Sequence, residues 1–274
     1  MPGGFDPAYI AARAILLDGL LALRDHADGL VLVGAHAVYL HTGAAGMAIA
    51  EYTTDADLAI NPDLIAAEPM LGEVLAANGF SSSQDLGRWI GPSGLFLDLL
   101  VPESRAGSTG RRSADLGVHG RRIARRVAGL EASLVDNRRQ TVKALALDDG
   151  REFTVKVAGP AALLIAKSIK IEERIDNDSR RSDKDALDVL RLLRTVETAV
   201  LAPSFRDLLA SPLASGSAER ALGALPHLFS NPDSPGCQMA ARSVQLLEDP
   251  MEIATSLSIL TLDLVAAIES SGQP

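Results

Sequence analysis

Along the first 158 residues, apolar and polar positions alternate in a way that predicts helices interleaved with short strands; beyond that point only helical patterning remains. An apolar stretch interrupted by Arg13 and Asp18 predicts an opening helix over about Pro7–Ala27. The apolar run Leu30–Val33, ending at Gly34, reads as a buried strand turning into a helix over about Ala35–Thr42, with a loop at Gly43–Gly46. Thr53–Ile60 has strand periodicity, placing Asp55, Asp57 and Ala59 on one face and Ala56, Leu58 and Ile60 on the other. Asn61-Pro62-Asp63 ends that strand and is expected to cap a helix running to about Asn78. Gly91-Pro92-Ser93-Gly94 supplies the turn of a hairpin whose returning strand, Leu95–Val101, has Asp98 among apolar neighbours. After a Gly-, Ser- and Arg-rich loop at Pro102–Ser113, two more strands are expected at Val142–Leu147 and Phe153–Val157, joined by Asp148-Asp149-Gly150.

From Gly159-Pro160 onward the expected elements are helices: one from Pro160 to about Ile175, and a second, capped by Ser182 or Asp183, to about Arg194. Three or four more fill Glu197–Ser270, with breaks near Pro203, Pro212, Pro226 and Asn231–Pro235. The expected architecture is an α/β (α+β) domain over 1–158 followed by an α-helical domain over 159–274, and a length of 274 residues suits two domains.

Composition narrows the function classes. A hydrophobic fraction of 47% with 22% charged residues is that of an ordinary globular chain. A net charge of −9 argues against a protein that coats nucleic acid non-specifically. The lone Cys237 excludes an intramolecular disulfide and a Cys-rich zinc site. Tyr9–Leu23 and Ile253–Ile268 are apolar but interrupted by charges and read as core helices, so the expectation is a cytoplasmic protein without a membrane span. Positive charge is concentrated between Glu103 and Lys143, in Arg105, Arg111, Arg112, Arg121, Arg122, Arg125, Arg126, Arg138 and Arg139.

The chemistry is suggested by carboxylates in strands, because an unpaired charge in a buried strand costs several kcal/mol. Asp55 and Asp57 project from one face, and Asp98 interrupts an apolar strand. Converging carboxylates repel unless cations lie between them, and an oxygen-only donor set selects hard ions such as Mg²⁺. Asp98 has an alternative reading as the ion-pair partner of an arginine.

Val33-Gly34-Ala35-His36-Ala37, then Thr54-Asp55-Ala56-Asp57-Leu58, then Leu97-Asp98-Leu99, resembles the nucleotidyltransferase superfamily, whose signature is a small-residue Gly turn, an Asp-x-Asp strand and a third Asp on a neighbouring strand. Pro160…Lys167…Arg174…Lys184-Asp185…Asp188, followed by Leu190, Leu192 and Leu193, resembles the abortive-infection, AbiEii-like branch. The resemblance covers about Val31 to Leu193. It departs from the pattern at Ala35, which brings no hydroxyl to the turn, and in a longer stretch between Gly34 and Asp55. Backbone N–H groups at Gly34 and Ala35 remain suited to phosphate.

The resemblance implies a polymerase-beta-like domain with a mixed sheet and a helical domain after it. It implies two Mg²⁺ ions held by Asp55, Asp57 and Asp98, and a nucleoside triphosphate whose α-phosphate is attacked as pyrophosphate leaves. Asp98 is then the carboxylate that ligates the second ion and helps deprotonate the attacking hydroxyl. Lys167 and Arg174 are implied to contact the nucleotide, and Lys184, Asp185 and Asp188 to bind it or scaffold the site. A solvated face paired with Glu172 or Glu173 is the alternative for Lys167, Lys170 and Arg174; i,i+4 pairing is the alternative for Lys184, Asp188 and Arg191. His36 and His41 read as helix-face residues, and Trp89 as hairpin packing rather than a base-stacking platform.

If helical, the segment holding Arg121, Arg122, Arg125 and Arg126 forms one stripe, suited to an RNA acceptor such as a tRNA end. The AbiEii-like resemblance implies a toxin and a cognate antitoxin. Competing readings are transfer to an aminoglycoside or lincosamide antibiotic, transfer to a protein side chain, and a non-catalytic nucleotide-binding module.

Overall fold

A computed structural model describes residues 5–43, 47, 50–107, 110, 112–176, 182–244 and 247–270. The chain forms two compact units, residues 1–37 with 50–158, and residues 38–49 with 159–274.

The first unit is built on a mixed sheet, eight-stranded among the described residues. In chain order its elements are α1 (Pro7–Ala22), β1 (Leu30–Val33), the start of α2 (Gly34–Thr42), β2 (Asp55–Ile60), α3 (Leu71–Ala77), β3 (Ser81–Ser82), β4 (Arg88–Ile90), β5 (Phe96–Pro102), β6 (Arg125–Val127), α4 (Glu131–Val135), β7 (Asn137–Lys143) and β8 (Glu152–Ala158). The strand order is β3-β4-β5-β2-β1-β8-β7, with β6 also paired to β5. The central strands β1 and β2 are antiparallel, β2 and β5 are parallel, and β1 and β8 are parallel. Ala56, Leu58, Leu97 and Leu99 are fully buried, and α1 packs against β2, β5 and β8 with Ile15, Leu16 and Leu17 buried. Arg13 interrupts the apolar pattern of α1 yet is buried too, because its guanidinium donates to His36 Nδ1, Lys143 O and Tyr9 Oη.

Several boundaries differ from the sequence expectation. The opening helix stops at Ala22, and Arg24–Gly29 continues as a 3-10 turn. The helix expected from Asn61 exists only as α3, because Pro69 disfavours helical backbone at the residue before it and lacks the N–H a helix would need. His119 Nδ1 accepts from Leu71 N at 3.2 Å and so satisfies a free donor in the first turn of α3. The final hairpin sits earlier than expected at its first strand, with β7 spanning Asn137–Lys143. Part of the expected Gly43–Gly46 loop, and Arg111, lie outside the described residues.

The elements described in the second unit are the end of α2 and six further helices: α5 (Pro160–Glu172), α6 (Asp183–Thr195), α7 (Thr198–Ala210), α8 (Ser215–Phe229), α9 (Pro235–Val244) and α10 (Pro250–Ser270). Pro203 and Pro226 lie inside α7 and α8 rather than between helices. Pro226 falls in the last turn of its helix, and α7 continues through Pro203 because Leu201, Ala202, Phe205 and Leu208 bury its apolar face. By length and composition α10 is apolar enough to cross a membrane, yet it packs against α7, α8 and α9 and buries Ile253, Leu257 and Leu264.

In the first unit the buried rings of His26 and His119 meet edge to face at 5.5 Å. Burial, then the neighbouring His119, pushes the His26 pKa below its ordinary value. The unfolded chain therefore binds a proton at this position before the folded chain does, and stability falls as pH drops below the ordinary histidine range. The urea midpoint is expected to be lower at pH 5.5 than at pH 7.5, and His26→Phe to reduce that difference; an unchanged difference would place the acid sensitivity elsewhere.

Candidate active site

The parallel pairing of β2 and β5 sets Asp57 beside Asp98 and Asp55 beside Phe96. Strand alternation keeps Asp55 and Asp57 on one face, and the register puts Asp98 on the same face. On the other side of β2, Val33 is the partner of Asp57, so the turn into α2 arrives next to that aspartate. Gly34 has φ +68°, and a Cβ there would lie 2.1 Å from Asp57 Oδ2. Glycine thus permits both the backbone conformation and the approach of the α2 start to the carboxylate. Ala35 follows it, buried. Asp55 accepts a hydrogen bond from Thr53 Oγ1 at 2.9 Å.

Asp98 is 1% exposed and is held by two arginines. Arg88, its cross-strand partner on β4, donates from Nε to Oδ1 at 2.8 Å and from Nη2 to Oδ2 at 2.9 Å. Arg125, the first residue of β6, donates from Nη2 to Oδ2 at 2.9 Å. Arg88 also stands 3.8 Å from Asp55 Oδ2, and its guanidinium carbon lies 4.7 Å from the centre of the Phe96 ring. Hydrogen bonding to Asp98, reinforced by the Asp98, Asp55 and Asp57 charges, holds the Arg88 guanidinium firmly protonated against the opposing effect of burial.

The strand topology explains why two arginines reach one aspartate. The edge of β5 is paired with β4 at Phe96–Asp98 and with β6 at Leu100–Pro102, so Asp98 lies where one partner gives way to the other. Gly87 spans the exchange: its N–H donates to Arg122 O, and its carbonyl accepts from Leu99 N at 2.7 Å. With φ +72° and a virtual Cβ only 2.3 Å from Arg125 N, this position has room for glycine alone.

These contacts bear on which residues suit a metal. Asp55 and Asp57 offer hard oxygen donors that fit a divalent cation such as Mg²⁺. Both Asp98 oxygens are engaged by guanidinium groups, an arrangement that does not fit a ligand to a second ion. Among the described residues, no group of three or more His, Cys, Asp or Glu side chains is disposed to hold a metal ion.

The arginine segment has a different shape from the expected helical stripe. Residues 121–124 form bends and 125–127 form β6, because the chain completes the free edge of β5. Arg125 turns to Asp98, Arg126 to Glu103 and Arg121 to Asp115, whereas Arg112 and Arg122 are exposed. Trp89 is buried, with Nε1–H donating to Ile123 O at 3.0 Å, as hairpin packing requires. His36 is buried against Arg13, and His41 lies in the last turn of α2.

In the second unit, Lys167 of α5 is buried and donates to Asp185 Oδ1 at 2.7 Å and Asp188 Oδ2 at 2.6 Å on α6. Lys170 reaches Asp185 Oδ1 at 2.9 Å. Burial alone would lower the Lys167 pKa, but Asp185 and Asp188 outweigh it and hold the ammonium charged. Burial likewise opposes the charge on Asp185, and Lys167 with Lys170 overcomes it. Arg174 lies in the turn after α5, while Lys184 and Arg191 stand 5.7 and 5.4 Å from the centre of the Tyr39 ring. Glu172 and Glu173 pair with Arg220 of α8 instead of with the lysines.

Residues 17–214 match the family model described as Nucleotidyltransferase. Residues 183–246 match a second model, a DprA-like N-terminal HHH domain. No curated protein matches the chain. Among solved structures, an antigenic nucleotidyltransferase-like protein from Paracoccidioides brasiliensis matches at 16% identity and a TM-score of 0.41, over 80% of this chain and 94% of that one.

Removing the buried centre of an ion network leaves uncompensated charges, at a cost of about 3–5 kcal/mol, whereas a part-exposed cation at its edge contributes about 1 kcal/mol or less. Lys167→Met should therefore lower the unfolding free energy in urea by about 3–5 kcal/mol, and Lys170→Ala by no more than about 1 kcal/mol. Equal losses would contradict the assignment of Lys167 as the centre of the network.

Proposed function

The chain belongs to the nucleotidyltransferase family, and on that premise we propose that it transfers a nucleoside monophosphate from a triphosphate to an acceptor hydroxyl at the face formed by Asp55, Asp57 and Asp98. The observation that supports this most directly is the strand register, which aligns Asp57 with Asp98 and leaves Asp55 on the same face. A new bond forms between the acceptor oxygen and the α-phosphorus as the bond to the pyrophosphate oxygen breaks; pyrophosphate departs with the electron pair, and the proton of the acceptor hydroxyl passes to water.

Asp55 and Asp57 are the residues that would hold Mg²⁺; when bound, the ion supplies neutralisation of phosphate charge. Thr53 orients Asp55 through its hydroxyl. Gly34 lets the start of α2 approach Asp57, where backbone N–H groups of Gly34 and Ala35 are suited to phosphate oxygens. Positioning and charge complementarity supply most of the rate enhancement in such a reaction. Lys167, Asp185 and Asp188 act as scaffold, locking α5 to α6, and Lys170, Arg174 and Lys184 are the less buried cations of the same unit.

The finer reading is a toxin-type, AbiEii-like enzyme that modifies RNA, with a tRNA end as acceptor and a cognate antitoxin as partner. Its support is the Lys-Asp-x-x-Asp segment at Lys184–Asp188 and the exposed Arg112, Arg121 and Arg122 on the unit that holds the aspartates. Arg125 and Arg126 belong to ion pairs within the unit and play a smaller part in that contact.

The test incubates the protein with Mg²⁺, each α-³²P triphosphate and total RNA. Label should enter small RNAs, vanish on chelation of divalent ions, and fall by at least about 100-fold in Asp57→Asn. Label on the protein itself would redirect the acceptor to a side chain, and label on an added aminoglycoside or lincosamide to an antibiotic. Undiminished transfer by Asp57→Asn would overturn the assignment of the site.

A further inference from the structure

We infer that Asp98 is the buried anchor of a two-arginine clamp for the triphosphate tail, and that Arg88 and Arg125 grip phosphate oxygens beside Asp55 and Asp57. The inference rests on the nucleotidyltransferase reading and assigns Arg88 and Arg125 a task within it.

The Asp98 carboxylate is 1% exposed, and each of its oxygens already accepts from a guanidinium. A divalent ion at Asp98 would have to displace a bidentate, charge-assisted pair, which is among the stronger polar contacts available to a protein. The two guanidinium groups are not buried with it: their side chains are 29% and 34% exposed. A guanidinium has five N–H donors in a fixed fork, and together the two arginines use three on Asp98. Arg125 Nε has no hydrogen-bond partner but is itself buried, so the donors of Arg125 left for a phosphate are the terminal N–H groups that Asp98 does not engage.

The orientation of the clamp is fixed from several sides. Arg88 lies over the Phe96 ring and opposite Asp98 in the ladder, while Arg125 begins the strand that takes over the β5 edge. Gly87 draws these two strands together. Three carboxylates share the face with two guanidinium groups, so cationic character is confined to the N–H edges of Arg88 and Arg125 that Asp98 does not engage, with Arg88 3.8 Å from Asp55. Planar forks preorganised in this way match the geometry of phosphate. The same chemistry would recognise an RNA backbone phosphate, and the experiment separates the two.

Full-length wild type, Arg88→Lys, Arg125→Lys, Asp98→Asn and Asp57→Asn are titrated with ATP in EDTA by calorimetry, with Mn²⁺ alone by electron paramagnetic resonance, and with an RNA oligonucleotide. Lysine keeps the charge at a part-exposed position but cannot reproduce the fork, so these variants report on geometry, and a urea melt verifies their fold. The expected result is metal-free ATP binding weakened about tenfold in each lysine variant and in Asp98→Asn. RNA binding stays unchanged in the lysine variants, and Mn²⁺ affinity is retained in all three but lost in Asp57→Asn. ATP binding unaffected by Arg88→Lys and Arg125→Lys, or absent from wild type without a divalent ion, would overturn the clamp. Loss of Mn²⁺ from Asp98→Asn would overturn it by making Asp98 a ligand, and selective loss of RNA would reassign the arginines to the acceptor. Nucleotide transfer is assayed in parallel. Wild type that binds ATP through the arginines yet transfers no nucleotide overturns the functional reading alone; transfer together with insensitive ATP binding overturns the clamp alone.

Discussion

A carboxylate buried in the middle of a sheet must be neutralised where it stands, and in this fold Asp98 imposes that requirement on three strands at once. Without partners its burial would cost several kcal/mol. The β4 hairpin supplies Arg88 directly across the ladder, and β6 joins the same β5 edge immediately beyond it to supply Arg125. The chain changes partners at Asp98, with Gly87 making the crossing sterically possible. Because β5 also pairs with β2 in register at Asp57, the same anchoring fixes the distance from the arginines to the acidic face. The contacts that neutralise Asp98 therefore also position the face proposed for the chemistry.

Much of this was legible in the sequence, and the part that was not has a physical reason. The alternation of Asp55 and Asp57 with apolar residues located their strand face, and the Gly91–Gly94 turn located the hairpin that returns through Asp98. Arg88 was missed, although counting back from that turn pairs it with Asp98 once Ile90 is set opposite Phe96. In the sequence Arg125 stands as one of an arginine cluster that forms a stripe only if the segment is helical. Three-residue strands such as β6 form because an edge is available, which is a tertiary fact that local periodicity does not encode. The shortened α3 shows the reverse limit, where Pro69 and the hydrogen bond from Leu71 N to His119 set the start of a helix that the pattern alone places at Asn61.

The second unit repeats the theme of compensated burial in helices. Lys167, Asp185 and Asp188 have the sequence spacing of a surface charge pattern, but they meet inside the α5–α6 contact and satisfy each other there. A buried network of this kind adds little stability relative to apolar packing, while its disruption is costly, so it fixes how two helices pair more than how strongly they do so. A lysine on a helix face in sequence can thus resemble a phosphate ligand and still be a cross-link. Its carboxylate partners come from a separate helix, and only tertiary packing reveals them.

On this reading the acidic face divides its work, with cation binding at Asp55 and Asp57 and phosphate binding by arginines anchored on Asp98. A crystal structure of the full chain soaked with Mn²⁺ and a non-hydrolysable triphosphate tests it most directly, since anomalous scattering locates the ion without assumption. The expected result is Mn²⁺ between Asp55 and Asp57, Arg88 and Arg125 still bonded to Asp98, and phosphate oxygens on their outer N–H groups. Mn²⁺ bound to Asp98, with Arg88 swung away from it, would instead make Asp98 a metal ligand and rule out this division of work.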